Sequence, residues 1–139
     1  RQMCIRDSHM GILAWSALGR GVLAGRYRTD TPRDSRAASQ ELSWFVEPYL
    51  AQKPRAVVDA VAKAGEGLGM TPAQVALCWV RDAPTVACAL VGPRHRKQLA
   101  ELLATADMSL PDEITTALDD ITGGPNLARR KPQQDAGQG

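Results

Sequence analysis

Two stretches of this sequence hold groups able to bind an anionic, partly aromatic ligand. The first is Trp15-Ser16-Ala17-Leu18-Gly19-Arg20-Gly21, which offers a flat aromatic ring, a hydroxyl, amide N–H groups that glycine leaves uncovered, and a cation. A ring of this kind stacks on a heterocycle, and amides with an arginine suit a pyrophosphate. The second is Gly92-Pro93-Arg94-His95-Arg96-Lys97-Gln98, where cations gather at the start of an expected helix. Helix amides, the positive end of the helix dipole and a guanidinium together make a site for a phosphate monoester. Taken singly, these residues have plainer readings. A tryptophan at a strand end is commonly core, glycines mark any tight turn, and a basic run is commonly a solvated helix start. Arg96, Lys97 and His95 keep that plainer reading. The succession of ring, hydroxyl, glycines and arginine makes the first stretch a binding loop.

Both stretches follow short apolar runs. Ile12-Leu13-Ala14-Trp15 and Val86-Ala87-Cys88-Ala89-Leu90-Val91, bounded by Gly11 and by Gly92-Pro93, each predict a strand buried on both faces. In α/β proteins ligands bind outside the carboxyl ends of the strands, so the two loops belong on one rim and fit a dinucleotide. Between the strands lies a polar stretch, residues 26–43, read as a long loop. Spacing predicts a helix over about 54–68, with Val57, Val58, Val61, Ala64 and Leu68 on one face and Gly65, Gly67 and Gly69 ending it. Thr71-Pro72-Ala73-Gln74 opens a second helix, with threonine as cap, proline at the first position and glutamine completing a capping box. Its body, Val75 to Val80, is apolar all round and predicts burial, with Cys78 and Trp79 in the core. After the second strand come a helix at about 95–105, carrying Leu99, Leu102 and Leu103, and one opened by Pro111-Asp112-Glu113, striped with Ile114, Leu118 and Ile121.

The chain has 139 residues, 44% apolar and 23% charged, which is the material of one ordinary globular domain. Lys and Arg number 17 against 15 Asp and Glu, and a net charge of +2 is too small to point to nucleic acid. No apolar run nears the roughly 18 residues of a membrane span, and no segment has the build of a signal peptide, so a cytoplasmic protein without a membrane partner is expected. Cys4, Cys78 and Cys88 lie far apart, which supports neither a disulfide framework nor a metal site. Residues 1–10, ending Ser8-His9-Met10, read as a foreign leader of the kind a tag junction leaves. Residues 123–139 read as a disordered tail. Two buried strands need neighbours on both edges, so residues 11–122 are expected to be part of a larger α/β protein.

Three ordered motifs carry a family resemblance. Gly11 through Tyr27 is similar to the seventh strand and following loop of aldo/keto reductases, with Ala17 where the family usually has proline. Thr71 through Val80 resembles the helix before the family's eighth strand. Leu90-Val91-Gly92-Pro93-Arg94, followed by Gln98-Leu99-Ala100-Glu101, resembles the eighth strand and the adenosine-phosphate loop. The resemblance implies the C-terminal fragment of a (β/α)8 TIM barrel that binds NADP(H). It implies that Trp15 stacks on the nicotinamide, that Ser16, Ala17, Leu18, Gly19 and Arg20 line the pyrophosphate, and that Arg26 flanks it. Arg36 matches a basic residue of the loop that folds over the cofactor. Gly92, Arg94, Gln98 and Glu101 match the pocket for the adenosine and its 2′-phosphate, and Leu102 stands where the family often has asparagine.

The family's catalytic Asp, Tyr, Lys and His match no residue here, so no catalytic residue is assigned and this stretch alone is expected to be inactive. The leading expectation is an NADPH-dependent oxidoreductase interconverting an aldehyde or ketone and an alcohol. The resemblance names no particular substrate and leaves the oligomeric state open. One alternative is a non-catalytic, cofactor-binding interaction subunit of the same family, which shares this type of loop. Another is a helix-turn-helix DNA binder built on residues 54–82, although its second helix offers only Gln74 and Arg81 as polar reach.

Overall fold

The computed structural model describes residues 10–25 and 52–123. In chain order these form β1 (Ile12–Ala14), a 3-10 turn (Gly19–Gly21), α1 (Gln52–Leu68), α2 (Pro72–Arg81), β2 (Val86–Ala89), α3 (Arg96–Leu103), a second 3-10 turn (Ala104–Asp107) and α4 (Asp112–Thr122). That is the expected alternation. The expected leader up to His9, the long polar loop and the tail beyond Gly123 lie outside the described residues.

The sharpest local signal is at the start of α2. The Thr71 hydroxyl accepts the Gln74 N–H at 3.2 Å, and the Gln74 carboxamide oxygen accepts the Thr71 N–H at 2.9 Å, with Pro72 at the first helical position. This reciprocal pair satisfies two amides that the helix itself cannot. From there the helix is enclosed. Ala73, Leu77, Ala17 and Leu102 form one buried cluster, with Ala89 of β2 packed on it. Val75 and Ala76 form another with Val61 of α1 and Leu118 of α4. Trp79 is half-buried, as a tryptophan with a wet edge should be, and its indole N–H donates to Asp119 Oδ1 at 2.8 Å.

At the far end of α2, Arg81 acts as a bracket. Its guanidinium forks onto Asp82, at 2.6 Å to Oδ1 and 2.8 Å to Oδ2. The same group donates to the carbonyls of Thr105 and of Met108, the latter at 2.7 Å. The buried Thr105 hydroxyl in turn donates to the Leu102 carbonyl at 2.6 Å.

Helix α1 runs through two of the three glycines expected to end it. Only Gly69 stops it, in the left-handed region at φ 65°, with the Met70 N–H reaching back to the Gly65 carbonyl at 2.9 Å. Gly65 serves a different purpose. A Cβ there would sit 2.6 Å from the Met70 carbonyl oxygen, so glycine lets the returning chain close against the helix.

The strands pair in parallel, and each departs from burial on both faces. Ile12 faces Val86, Leu13 faces Cys88 and Ala14 faces Ala89, so β2 carries one extra residue, Ala87, as a bulge. Gly11 accommodates it, because a Cβ there would meet the Ala87 Cβ at 2.6 Å. Thr85, held at φ 136° ahead of β2, accepts the Ile12 N–H at 2.7 Å. Ile12, Ala14, Val86 and Ala89 are half-buried, whereas Leu13 is 63% exposed and Ala87, Cys88, Leu90 and Val91 are also exposed. Among the described residues the covering elements lie on one side of the sheet. Side chains of successive strand residues point to opposite faces, so in β1 Leu13 lacks the cover that Ile12 and Ala14 have. The same correction applies to α3 and α4: Leu102 and Leu118 are buried, but Leu99, Leu103 and Ile121 are exposed.

Gly65→Ala should destabilise the full-length protein by about 1–3 kcal/mol through the Met70 clash, despite alanine's better helix propensity. Gly67→Ala, with nothing within 4 Å of the added Cβ, should be neutral or stabilising by up to about 1 kcal/mol. Melting both variants checks the pair, and equal effects would contradict the close approach. Separately, burial pushes the Cys78 thiol above the usual thiol range, partly offset by Arg81. The folded state therefore keeps this proton, and stability present below the ordinary thiol pKa is lost as pH rises through and beyond it. Iodoacetamide should spare Cys78 in the folded protein and label it on denaturation, read by peptide mapping.

Candidate functional site

Parallel pairing places the carboxyl ends of β1 and β2 side by side, with the Leu90 N–H donating to the Ala14 carbonyl at 2.9 Å. The two sequence-predicted loops therefore leave from one edge. Trp15 follows Ala14 directly and is 71% exposed, a large aromatic face open to a ligand.

The loop after Trp15 is wound tightly. Ser16, Gly19, Arg20, Gly21 and Gly25 all take positive φ, from 54° to 94°. Glycine adopts this region without strain, but Ser16 and Arg20 carry some, which the surrounding bonds must offset. Those bonds run from Gly19 N–H to the Ser16 carbonyl (2.7 Å), from Gly21 and Leu23 N–H to Leu18 (3.0 and 3.2 Å), and from Val22 N–H to Gly19 (3.1 Å). Ala17 and Val22 are buried and pin the loop at two points, and Leu18 packs against both main clusters. The side chains of Ala17 and Leu18 thus serve the core, and these residues present only backbone to the rim. Among the described residues, the loop's own hydrogen bonds leave out the amides of Ser16, Ala17 and Leu18.

The second loop is locked by Gln98. Its carboxamide oxygen accepts the Arg94 N–H at 2.9 Å, while its own N–H donates to His95 Nδ1 at 3.4 Å, making His95 the cap of α3. His95 is exposed, as expected, yet its ring has this structural task. Arg94, Arg96 and Lys97 are exposed around the same turn, which contains no acidic residue. Three cations at the positive end of a helix dipole oppose the helix, and an anion there relieves them. Gly92 has ordinary φ and open space where a Cβ would stand, so neither its backbone nor its packing calls for glycine. Space, cations and amides at one helix start fit a phosphate, and the exposed ring with a preset loop fits the rest of a dinucleotide.

Glu101 lies one turn further along α3 and is tied to α2. Its Oε1 accepts the Thr71 hydroxyl at 2.6 Å, and its carbonyl accepts from Gln74 Nε2 at 3.3 Å. Thr71 was legible as a cap, but nothing in its local sequence reveals a partner 30 residues away. Arg26 and Arg36 lie outside the described residues.

The same bonds tie up the polar residues on which the helix-turn-helix alternative relied. Gln74 is engaged with Thr71 and Glu101, Arg81 with Asp82, Thr105 and Met108, and α2 is enclosed, so it presents no reading face. Among the described residues, no helix is long and apolar enough to cross a membrane.

Comparison with known proteins gives the chain a family. An uncharacterized oxidoreductase, YrpG of Bacillus subtilis (strain 168), is 31% identical over 120 residues, covering 86% of this chain and 34% of the relative. The chain thus spans about a third of the length of that curated relative. The family model for the aldo/keto reductases matches residues 1–122, including the ten residues read above as a leader. With the match running through both rim loops and every described element up to Thr122, the chain belongs to the aldo/keto reductase family.

Proposed function

We propose that residues 11–122 form the C-terminal part of a cytoplasmic, NADP(H)-dependent oxidoreductase that interconverts an aldehyde or ketone and an alcohol, and that they hold its cofactor. Family membership implies a (β/α)8 barrel, and the described residues form two parallel strands and four helices. The observation that carries the reading is the parallel β1–β2 pair, which sets the Trp15–Gly25 loop beside the Gly92–Gln98 loop at the strands' carboxyl ends.

In this reading Trp15 provides the stacking face for the nicotinamide. The amides of Ser16, Ala17 and Leu18, with Gly19 and Arg20, receive the pyrophosphate, and Arg26 and Arg36 add charge around it. Gly92 gives close access, Arg94 and the start of α3 take the 2′-phosphate, and Gln98 and Glu101 border the adenosine. When bound, the cofactor supplies hydride to a carbonyl carbon or takes it back from an alcohol. The residues here bind and orient. The acid that protonates the carbonyl oxygen belongs to the family's early strands, so this stretch contributes no catalytic proton.

In the full-length protein, Ser16→Asp should weaken NADPH binding at least tenfold by opposing the pyrophosphate charge, about 1.4 kcal/mol. Aspartate tolerates the left-handed conformation that Ser16 adopts, so the loop should survive the change. Fluorescence titration reads the affinity, and an unaltered value would overturn the loop assignment. Arg94→Glu should lower the preference for NADPH over NADH by about ten- to a hundredfold. An unchanged ratio removes the 2′-phosphate from this site. Tight NADPH binding without carbonyl turnover would favour the non-catalytic subunit instead.

A further inference from the structure

We infer that Thr71 is a positioning residue for the adenosine end of the cofactor site, acting through Glu101. The inference rests on the proposed function above, which places Glu101 beside the adenosine. The Thr71 hydroxyl has a single proton to donate. The Thr71 hydroxyl accepts the Gln74 N–H at 3.2 Å, an amide that can only donate. The one hydrogen of the hydroxyl is therefore directed elsewhere, and it lies on the 2.6 Å contact to Glu101 Oε1. That length is typical of a hydroxyl donating to a carboxylate, among the stronger protein hydrogen bonds. Capping α2 requires only an acceptor, and Asp or Asn supplies one as well as Thr does. The donor is what threonine adds.

Gln74 reinforces the arrangement from the other side. Its Nε2 donates to the Glu101 carbonyl at 3.3 Å while its Oε1 completes the capping box. Both the side chain and the backbone of Glu101 are thus fastened to the first turn of α2. The Thr71 contact engages Oε1, so the carboxylate is held in place by one of its two oxygens. A long, rotatable side chain would otherwise lose freedom on meeting a ligand. Here that ordering is complete beforehand.

The test uses Thr71→Asp, which keeps the capping acceptor, has no proton to give, and sets a like charge against Glu101. In the full-length protein it should raise the Kd for NADPH and for adenosine 2′,5′-bisphosphate by about three- to tenfold. Thr71→Ser, retaining both functions of the hydroxyl, should bind like the parent. In a Glu101→Ala background Thr71→Asp should have no further effect on either Kd; weakening in the parent that vanishes in this background is a pattern a purely structural cap would not produce. Should Thr71→Asp fail to fold, Thr71→Val in the same two backgrounds gives the same comparison. Unchanged affinity in Thr71→Asp or Thr71→Val, with Glu101→Ala weakened, would overturn the role of Thr71 alone. Unchanged affinity in Glu101→Ala would remove Glu101 from the cofactor site, and with it the residue that Thr71 positions.

Discussion

A helix that is apolar around its whole circumference can exist in water only if every side of it is covered, and α2 is such a helix. Val75, Ala76 and Cys78 are fully enclosed, and Ala73 and Leu77 nearly so. The neighbours that enclose them are, in turn, the elements the site needs. One flank collects Ala17 and Leu18 from the rim loop, Ala89 from β2 and Leu102 from α3. The other collects α1 and α4 through Val61 and Leu118. Burial of apolar area is non-directional, so it gathers these pieces without orienting them. Orientation comes from the polar groups at the two ends of α2, where Thr71 and Gln74 meet Glu101 and where Arg81 meets the turn after α3.

Legibility in the sequence followed the range of the interaction. The start of α2 was readable residue by residue, because a capping box closes within four positions and needs no other part of the chain. The order of elements was readable from periodicity for the same reason. What failed was anything decided by a distant neighbour. The apolar runs at Leu13 and Leu90 showed that strands form but not which faces find cover, and the bulge at Ala87 depends on the missing side chain of Gly11 across the sheet. Gly65 looked like a helix stop, yet its requirement comes from Met70 folding back over it. On the rim, residue types led to the expectation of an anion-binding loop, while the use of Ala17 and Leu18 as anchors and of Glu101 as a bridge required the tertiary structure.

The two rim loops solve one problem in different ways. The Trp15–Gly25 loop is held by backbone geometry, with glycines carrying most of the unusual φ values and buried Ala17 and Val22 fixing its ends. The loop before α3 has ordinary backbone and is held by one side chain, Gln98, which accepts from Arg94 and places its own amide on His95. A backbone-built loop keeps its shape through most side-chain changes. A loop hung on a single carboxamide does not, so sequence changes near Gln98 displace Arg94 and His95 more readily than changes near Arg20 displace the first loop.

The bracket at Arg81 has a bearing on how the molecule opens. Short connectors at helix ends ordinarily breathe on their own, exchanging amide hydrogens long before the core does. The turn at Ala104–Asp107 is different, because the carbonyls of Thr105 and Met108 share one guanidinium that α2 carries and Asp82 steadies. Fraying this turn means detaching it from α2, so the segment from Leu102 to Met108 is coupled to the most enclosed helix in the structure and opens together with it.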